Sequence, residues 1–146
     1  MLRSIRKSQS GFTLVELLVV IVVLAVLAAI VLPKFADSGK RSKESALKSD
    51  LKLYRNAITL FKNDTGYYPT SLAALASTDT VTTGLDDAGA TKTFSGSDWH
   101  GPYVQTAEKD PITGADFTYV TSGTGVGTVK SASTTTGLDG TAYSTW

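Results

Sequence analysis

No cysteine occurs in the 146 residues, which excludes a disulfide framework and a thiolate metal centre. The one histidine, His100, sits beside Trp99 with no cluster of acids around it, so neither an imidazole metal site nor a histidine base has partners. Charge of one sign is also lacking: 14 basic residues stand against 13 acidic ones, a formal net charge of +1. The cations are spread along the chain and form no patch, so nothing points to nucleic acid. Asp110 and Asp116 flank a turn without making a carboxylate pair for acid–base work. The glycine run Gly123-Thr124-Gly125-Val126-Gly127 is followed by neither a helix signal nor a phosphate-loop lysine, and reads as a hairpin turn. No nucleotide site is expected.

What the chain does have is one long apolar run. From Leu17 to Leu32 sixteen apolar residues follow without interruption. Counted from Phe12 the segment has 21 positions, of which only Thr13 and Glu16 are polar. As a helix it reaches about 31 Å, the thickness of a bilayer's hydrocarbon core. The preceding residues carry Arg3, Arg6 and Lys7 and no acid, which holds that end on the cytoplasmic side. A secretory signal peptide would place small residues for cleavage after the run. Pro33-Lys34-Phe35 and Asp37-Ser38-Gly39-Lys40 offer no clean site of that kind. Glu16 is the anomaly, because a carboxylate in lipid needs a partner or a task.

Beyond the run the helix is expected to continue. Leu47, Leu51, Tyr54, Ile58 and Phe61 recur at four- and three-residue steps, with Ala46, Ala57 and Leu60 widening the stripe. Lys43, Glu44, Lys48, Lys52, Arg55 and Lys62 occupy the other faces. Asp64-Thr65-Gly66 is the expected stop, with Gly66 at the left-handed C′ position. Pro33 and Gly39 are the expected points of kinking or local melting. Phe12 to Asn63 as one helix would extend about 78 Å, a length that makes sense if the projecting half packs against copies of itself. The remainder reads as loops and short strands. Ser71–Leu75 is a short helix capped by Ser71 or Thr70, Thr78–Gly96 a surface loop, and Phe117–Thr121 and Thr128–Ala132 the strands. Antiparallel strands across a helix give an α+β fold: a long N-terminal helix, transmembrane then amphipathic, packed on a small antiparallel sheet.

A basic leader ending in Gly11, followed by Phe12-Thr13-Leu14-Val15-Glu16 and an apolar helix, resembles the prepilin leader of the type IV filament superfamily. Tyr68-Pro69-Thr70 with Leu72 and Leu75, Trp99-His100-Gly101-Pro102-Tyr103, and Lys109-Asp110-Pro111-Ile112-Thr113-Gly114 followed by Phe117 and Tyr119 are similar to segments of the major pseudopilins of type II secretion. The absent cysteines fit that branch better than the type IV pilins, many of which close a C-terminal loop with a disulfide. The resemblance divides the chain into a leader (1–11), a transmembrane and filament-core helix (12–33), its amphipathic continuation (34–64) and a periplasmic or extracellular globular domain (65–146).

The resemblance implies a non-enzymatic filament subunit. A membrane peptidase would cut between Gly11 and Phe12 and N-methylate the new terminus. Glu16 would pair with the Phe12 amine of a neighbouring subunit, and the helix would loosen at Pro33 on assembly. The implied partners are identical subunits in a helical homopolymer, the prepilin peptidase, an inner-membrane platform and motor, minor pilins or pseudopilins, and the bilayer before assembly. Removal of the three leader cations leaves 11 basic and 13 acidic residues. Two outcomes stay open within the superfamily, a periplasmic secretion pseudopilus and a surface pilus for adhesion, motility or DNA uptake. From another class, a membrane-anchored enzyme or ligand-binding module would show a concave polar pocket in 65–146. The resemblance also raises calcium, with Asp139 as the candidate ligand in Thr136–Trp146. No acidic residue follows Asp139, so a plain Asp-Gly hairpin turn is the competing reading.

Overall fold

The computed structural model describes residues 11–146, and for Pro33, Lys34 and Ala36 the backbone alone. The leader expected over 1–11 therefore lies outside the described residues except for Gly11. The chain divides into two compact units between Gly39 and Lys40. One helix, α1 (Leu14–Thr65), contributes to both. Its backbone stays helical through Pro33 and Gly39, so the local melting expected there is not present in the single chain. Proline removes one helical hydrogen bond, and the bonded turns on either side are enough to carry the helix past it.

In the first unit every residue from Leu14 to Leu32 is exposed, and the large apolar side chains are at least 43% exposed. In the second unit α1 supplies the core. Leu47, Leu51, Tyr54, Ile58 and Phe61 are all buried, and Ala57 with them. Ala46 and Leu60 depart from the expectation, since both are exposed. At about 100° per residue Leu60 falls roughly 140° from the centre of the stripe, on the far side of the helix. The helix ends at Thr65. Gly66 takes φ +80° and donates its N–H to Lys62 O at 2.8 Å, the left-handed stop that its lack of Cβ permits.

Two antiparallel sheets lie outside the helix. The larger has the order β1 (Tyr68–Pro69), β2 (Thr83–Leu85), β3 (Thr91–Thr93). Tyr68 pairs with Leu85, and Thr83 with Thr93. This hairpin occupies the segment expected to be a loop. Asp86 turns it by accepting the N–H groups of Ala88 and Ala90 at 3.0 and 2.8 Å. The second sheet is β4 (Thr118–Tyr119) against β5 (Val129–Lys130), inside the two expected strands and joined through the glycine run. A one-turn 3-10 helix, Ala73–Ala76, buries Leu75. Its cap position is Leu72, not Ser71 or Thr70, although Ser71 Oγ accepts the Ala74 N–H at 3.3 Å. Phe117, Val104, Val129 and Tyr143 close the core over the helix. Tyr54 meets Phe117 edge-on at 5.3 Å, and Phe61 meets Tyr103 at 5.6 Å.

Candidate functional site

The N-terminus of α1 explains part of the Glu16 anomaly locally. Thr13 precedes the first helical residue, and Glu16 is three residues on. Glu16 Oε2 accepts the Thr13 N–H and the Thr13 hydroxyl, each at 2.8 Å, while the Glu16 N–H donates to Thr13 Oγ1 at 3.2 Å. This is a capping box, which satisfies amides that a helix start leaves without partners. The Thr-x-x-Glu spacing before an apolar run announces it, and the sequence reading passed over it. Both acceptor contacts fall on Oε2. Phe12 is 85% exposed, and a methyl group added to Gly11 would meet nothing within 4 Å. Among the described residues nothing thus demands glycine at position 11.

The C-terminal segment forms a second constellation against α1. A bridge joins Thr136 to Ala142, the Gly137 N–H reaches Thr141 O at 2.8 Å, and Gly140 turns the chain at φ +80°. This is the hairpin that the Asp-Gly pair suggested. Asp139 Oδ1 accepts the Thr141 N–H at 2.9 Å and the Thr141 hydroxyl at 2.7 Å, and these bonds hold its carboxyl below the usual range. Four residues of α1 grip the segment, three on successive turns and the fourth two turns further on. Lys40 Nζ donates to Thr136 O at 3.2 Å. Glu44 Oε1 accepts the Leu138 N–H at 2.7 Å and the Tyr143 hydroxyl at 2.8 Å. Lys48 Nζ lies 4.1 Å from the centre of the Trp146 ring, and Arg55 donates to Trp146 O.

Glu44 was expected on a polar face, yet it is 9% exposed. It lies three residues before Leu47, about 60° round from it and about 20° beyond Leu51, at the edge of the buried stripe. Sequence reading also missed Asp110, which is wholly buried. Its Oδ1 accepts the Ile112 N–H at 2.8 Å and the Thr113 N–H at 3.4 Å. Its Oδ2 accepts the Ser131 hydroxyl at 2.6 Å and the Ala132 N–H at 3.0 Å. Asp110 thereby ties the Lys109–Gly114 turn to the end of β5. The Trp99–Tyr103 segment is likewise a fastening. Tyr103 and Val104 donate their N–H groups to Leu75 O, and the Tyr103 hydroxyl reaches Asp64 at 2.8 Å.

Clefts of about 360, 320 and 360 Å³ mark the second unit. None brings a hydroxyl nucleophile to a histidine.

Two family profiles match the chain. The prokaryotic N-terminal methylation motif covers residues 6–32, and type II secretion system protein G covers residues 34–144. The chain belongs to the type II secretion system protein G family. It is a structural subunit of the pseudopilin kind, a class that assembles into filaments with other pseudopilins. The type II secretion system core protein G of Aeromonas hydrophila is 34% identical over 104 residues, 67% of this chain and 73% of that one. The core protein G of Vibrio cholerae is 30% identical over 117 residues, 80% of this chain and 74% of its own. That of Pseudomonas aeruginosa is 39% identical over 70 residues, 48% of this chain and 49% of its own. No solved structure matches this chain.

For a pseudopilin of this family the calcium question falls on the C-terminal hairpin. Calcium takes six to eight oxygens at about 2.3–2.6 Å. Among the described residues no group of three or more acidic or histidine side chains could hold a metal ion. Asp139 Oδ1 is occupied by the two Thr141 donors. A methyl on Gly137 would stand 3.0 Å from Asp139 Oδ1, 3.3 Å from Glu44 Oε1 and 2.8 Å from Trp146 Cζ2. The two carboxylates and the edge of the indole ring thus crowd the same side of Gly137. The donor set does not fit calcium.

Proposed function

We propose that this pseudopilin is cut between Gly11 and Phe12, N-methylated at Phe12, held in the inner membrane by its apolar helix, and then drawn into a periplasmic filament of identical subunits. The observation that carries the reading is the segment from Leu14 to Leu32. Its apolar side chains are exposed throughout, so they have no cover among the described residues. Lipid before assembly and the helices of other subunits afterwards supply that cover. Gly11 supports the processing step. Among the described residues nothing near it requires glycine, and a requirement imposed by a peptidase accounts for the residue.

Arg3, Arg6 and Lys7 favour a cytoplasmic leader and a globular domain on the opposite side. Glu16 then sets register. Cleavage creates an amine on Phe12, and two charges that are each costly in a medium of low dielectric constant become tolerable as a pair. The subunit carries out no chemistry of its own and needs no metal. The prepilin peptidase processes it, and a separate platform and motor supply the work of extraction. Processing is tested with Gly11→Ala, following the mass and N-terminus of the mature chain. Loss of cleavage is expected, and normal cleavage would overturn the assignment. Glu16→Val tests register. It is expected to be cleaved and inserted yet to give few filaments, and a normal filament yield would end that role.

A further inference from the structure

The hairpin at Thr136–Ala142 is closed from the helix by an anion. A loop built around a cation turns carbonyl and carboxylate oxygens inward, because the ion needs acceptors. Here two donors turned toward α1, the Leu138 N–H and the Tyr143 O–H, both meet Glu44 Oε1, and the two carbonyls that face the helix, Thr136 O and Trp146 O, accept from Lys40 and Arg55. Tyr143 is 1% exposed, so its hydroxyl has no recourse to solvent and needs that acceptor. The two contacts span 94 and 99 residues of sequence. Lys40 and Lys48 flank Glu44 at four residues on either side and engage the same segment through Thr136 O and the Trp146 ring, which offsets the proximity of Asp139.

We propose that Glu44 is the latch of the C-terminal segment, a carboxylate on α1 that does what a bound cation would otherwise do, so that the domain reaches full stability without calcium. Glu44 is a positioning residue: it orders the hairpin and the Tyr143–Trp146 pair, whose rings meet edge-on at 4.9 Å. The consequence for assembly, that filaments form equally well with and without calcium, rests on the filament reading above. The stability claim does not.

The test is thermal unfolding of the full chain in detergent micelles, followed by tryptophan fluorescence, in about 5 mM calcium and in excess chelator, a concentration that saturates even weak extracellular calcium modules. The expected midpoint is the same in both to within about 3 °C, whereas a specific site at saturation would raise it by more than that. Tyr143→Phe removes one of the two donors with little change of shape, and Glu44→Gln keeps an acceptor without the charge. Both are expected to lower the midpoint by several degrees and to remain indifferent to calcium. A calcium-dependent rise beyond that margin in the unsubstituted chain overturns the proposal, as do unchanged midpoints in the two variants. If the latch fails on this assay the filament reading still stands, because that reading is tested by processing and filament yield.

Discussion

Replacing Asp110 by alanine removes the acceptor of four donors at once. Three of the bonds are short, from Ile112, Ser131 and Ala132 at 2.8, 2.6 and 3.0 Å, and the fourth, from Thr113 at 3.4 Å, is marginal. A hydrogen bond to a charged group contributes about 1.5–3 kcal/mol net of desolvation. Taking the lower figure for the three short bonds gives a loss of about 4–5 kcal/mol, allowing little for water entry beside a wholly buried carboxylate. Asp110→Asn should lose less, about 2 kcal/mol: one oxygen still accepts, the Ser131 hydroxyl can reverse, and only the Ala132 N–H faces another donor. Domains of this size are stable by about 5–15 kcal/mol, so the alanine variant should be close to unfolded at 37 °C. The assay is chemical denaturation of the full chain in micelles, reported by Trp99 and Trp146. A loss below about 1 kcal/mol for alanine, or an asparagine variant less stable than the alanine one, would refute the account of Asp110 as the tie between turn and strand.

The other expectations test packing, titration and the helix start. Gly127 has φ +85°, and a Cβ there would run into the Tyr68 ring; Gly127→Ala should cost about 1–3 kcal/mol in the same assay, and a neutral outcome would contradict that contact. Burial, and then the bond to Glu44, push the Tyr143 phenol up to about 12. A raised folded value means stability is fully present below pH 10 and falls as pH rises from 10 toward 12. Phenolate absorbance of Tyr143 should therefore appear together with loss of the folded signal, and ionisation near pH 10 in an intact fold would contradict its burial. Thr13→Val removes the cap, worth about 1 kcal/mol, but leaves the Glu16 charge. It should assemble far better than Glu16→Val, and equal defects would mean that Glu16 acts only as a cap.

The helix was legible because its signal is long. Five apolar positions at three- and four-residue steps outweigh any local accident, and the stop at Gly66 is a backbone requirement that only a few residues meet. The three-stranded sheet was not legible, because strands of two or three residues never establish an alternation. Thr83-Gly84-Leu85 holds one large apolar side chain. Its place is set by close approach: a Cβ on Gly84 would lie 2.9 Å from the Tyr68 carbonyl. The glycine run declared its turn correctly, with Gly123, Gly125 and Gly127 all at positive φ. Glu44 and Asp110 stayed hidden for another reason. Their partners lie as far as 99 and 22 residues away, and no local pattern records such pairings. Glu16 was the reverse case, a residue conspicuous enough for a distant partner to be sought while its near one, Thr13, stood three residues away.

Glu16, Glu44 and Asp110 solve one problem in the same way, and the difference among them is informative. Each carboxylate is met by N–H and O–H donors of its own chain. For Glu44 and Asp110 the arrangement is complete within the chain: both are buried, and their donors come from the segments packed against them. For Glu16 it is not. Its two acceptor contacts both use Oε2, the residue is exposed, and the Leu17–Leu32 stretch that follows it is apolar on every side. Two hydrogen bonds lower the penalty of an ionised group in hydrocarbon without removing it. A capped Glu16 can therefore wait in the membrane, where the capping box lies at the end of the span, and still gain from a positive partner. Such a partner can approach Oε1 without displacing Thr13, so the proposed pairing with a neighbouring subunit would add to the cap and not compete with it.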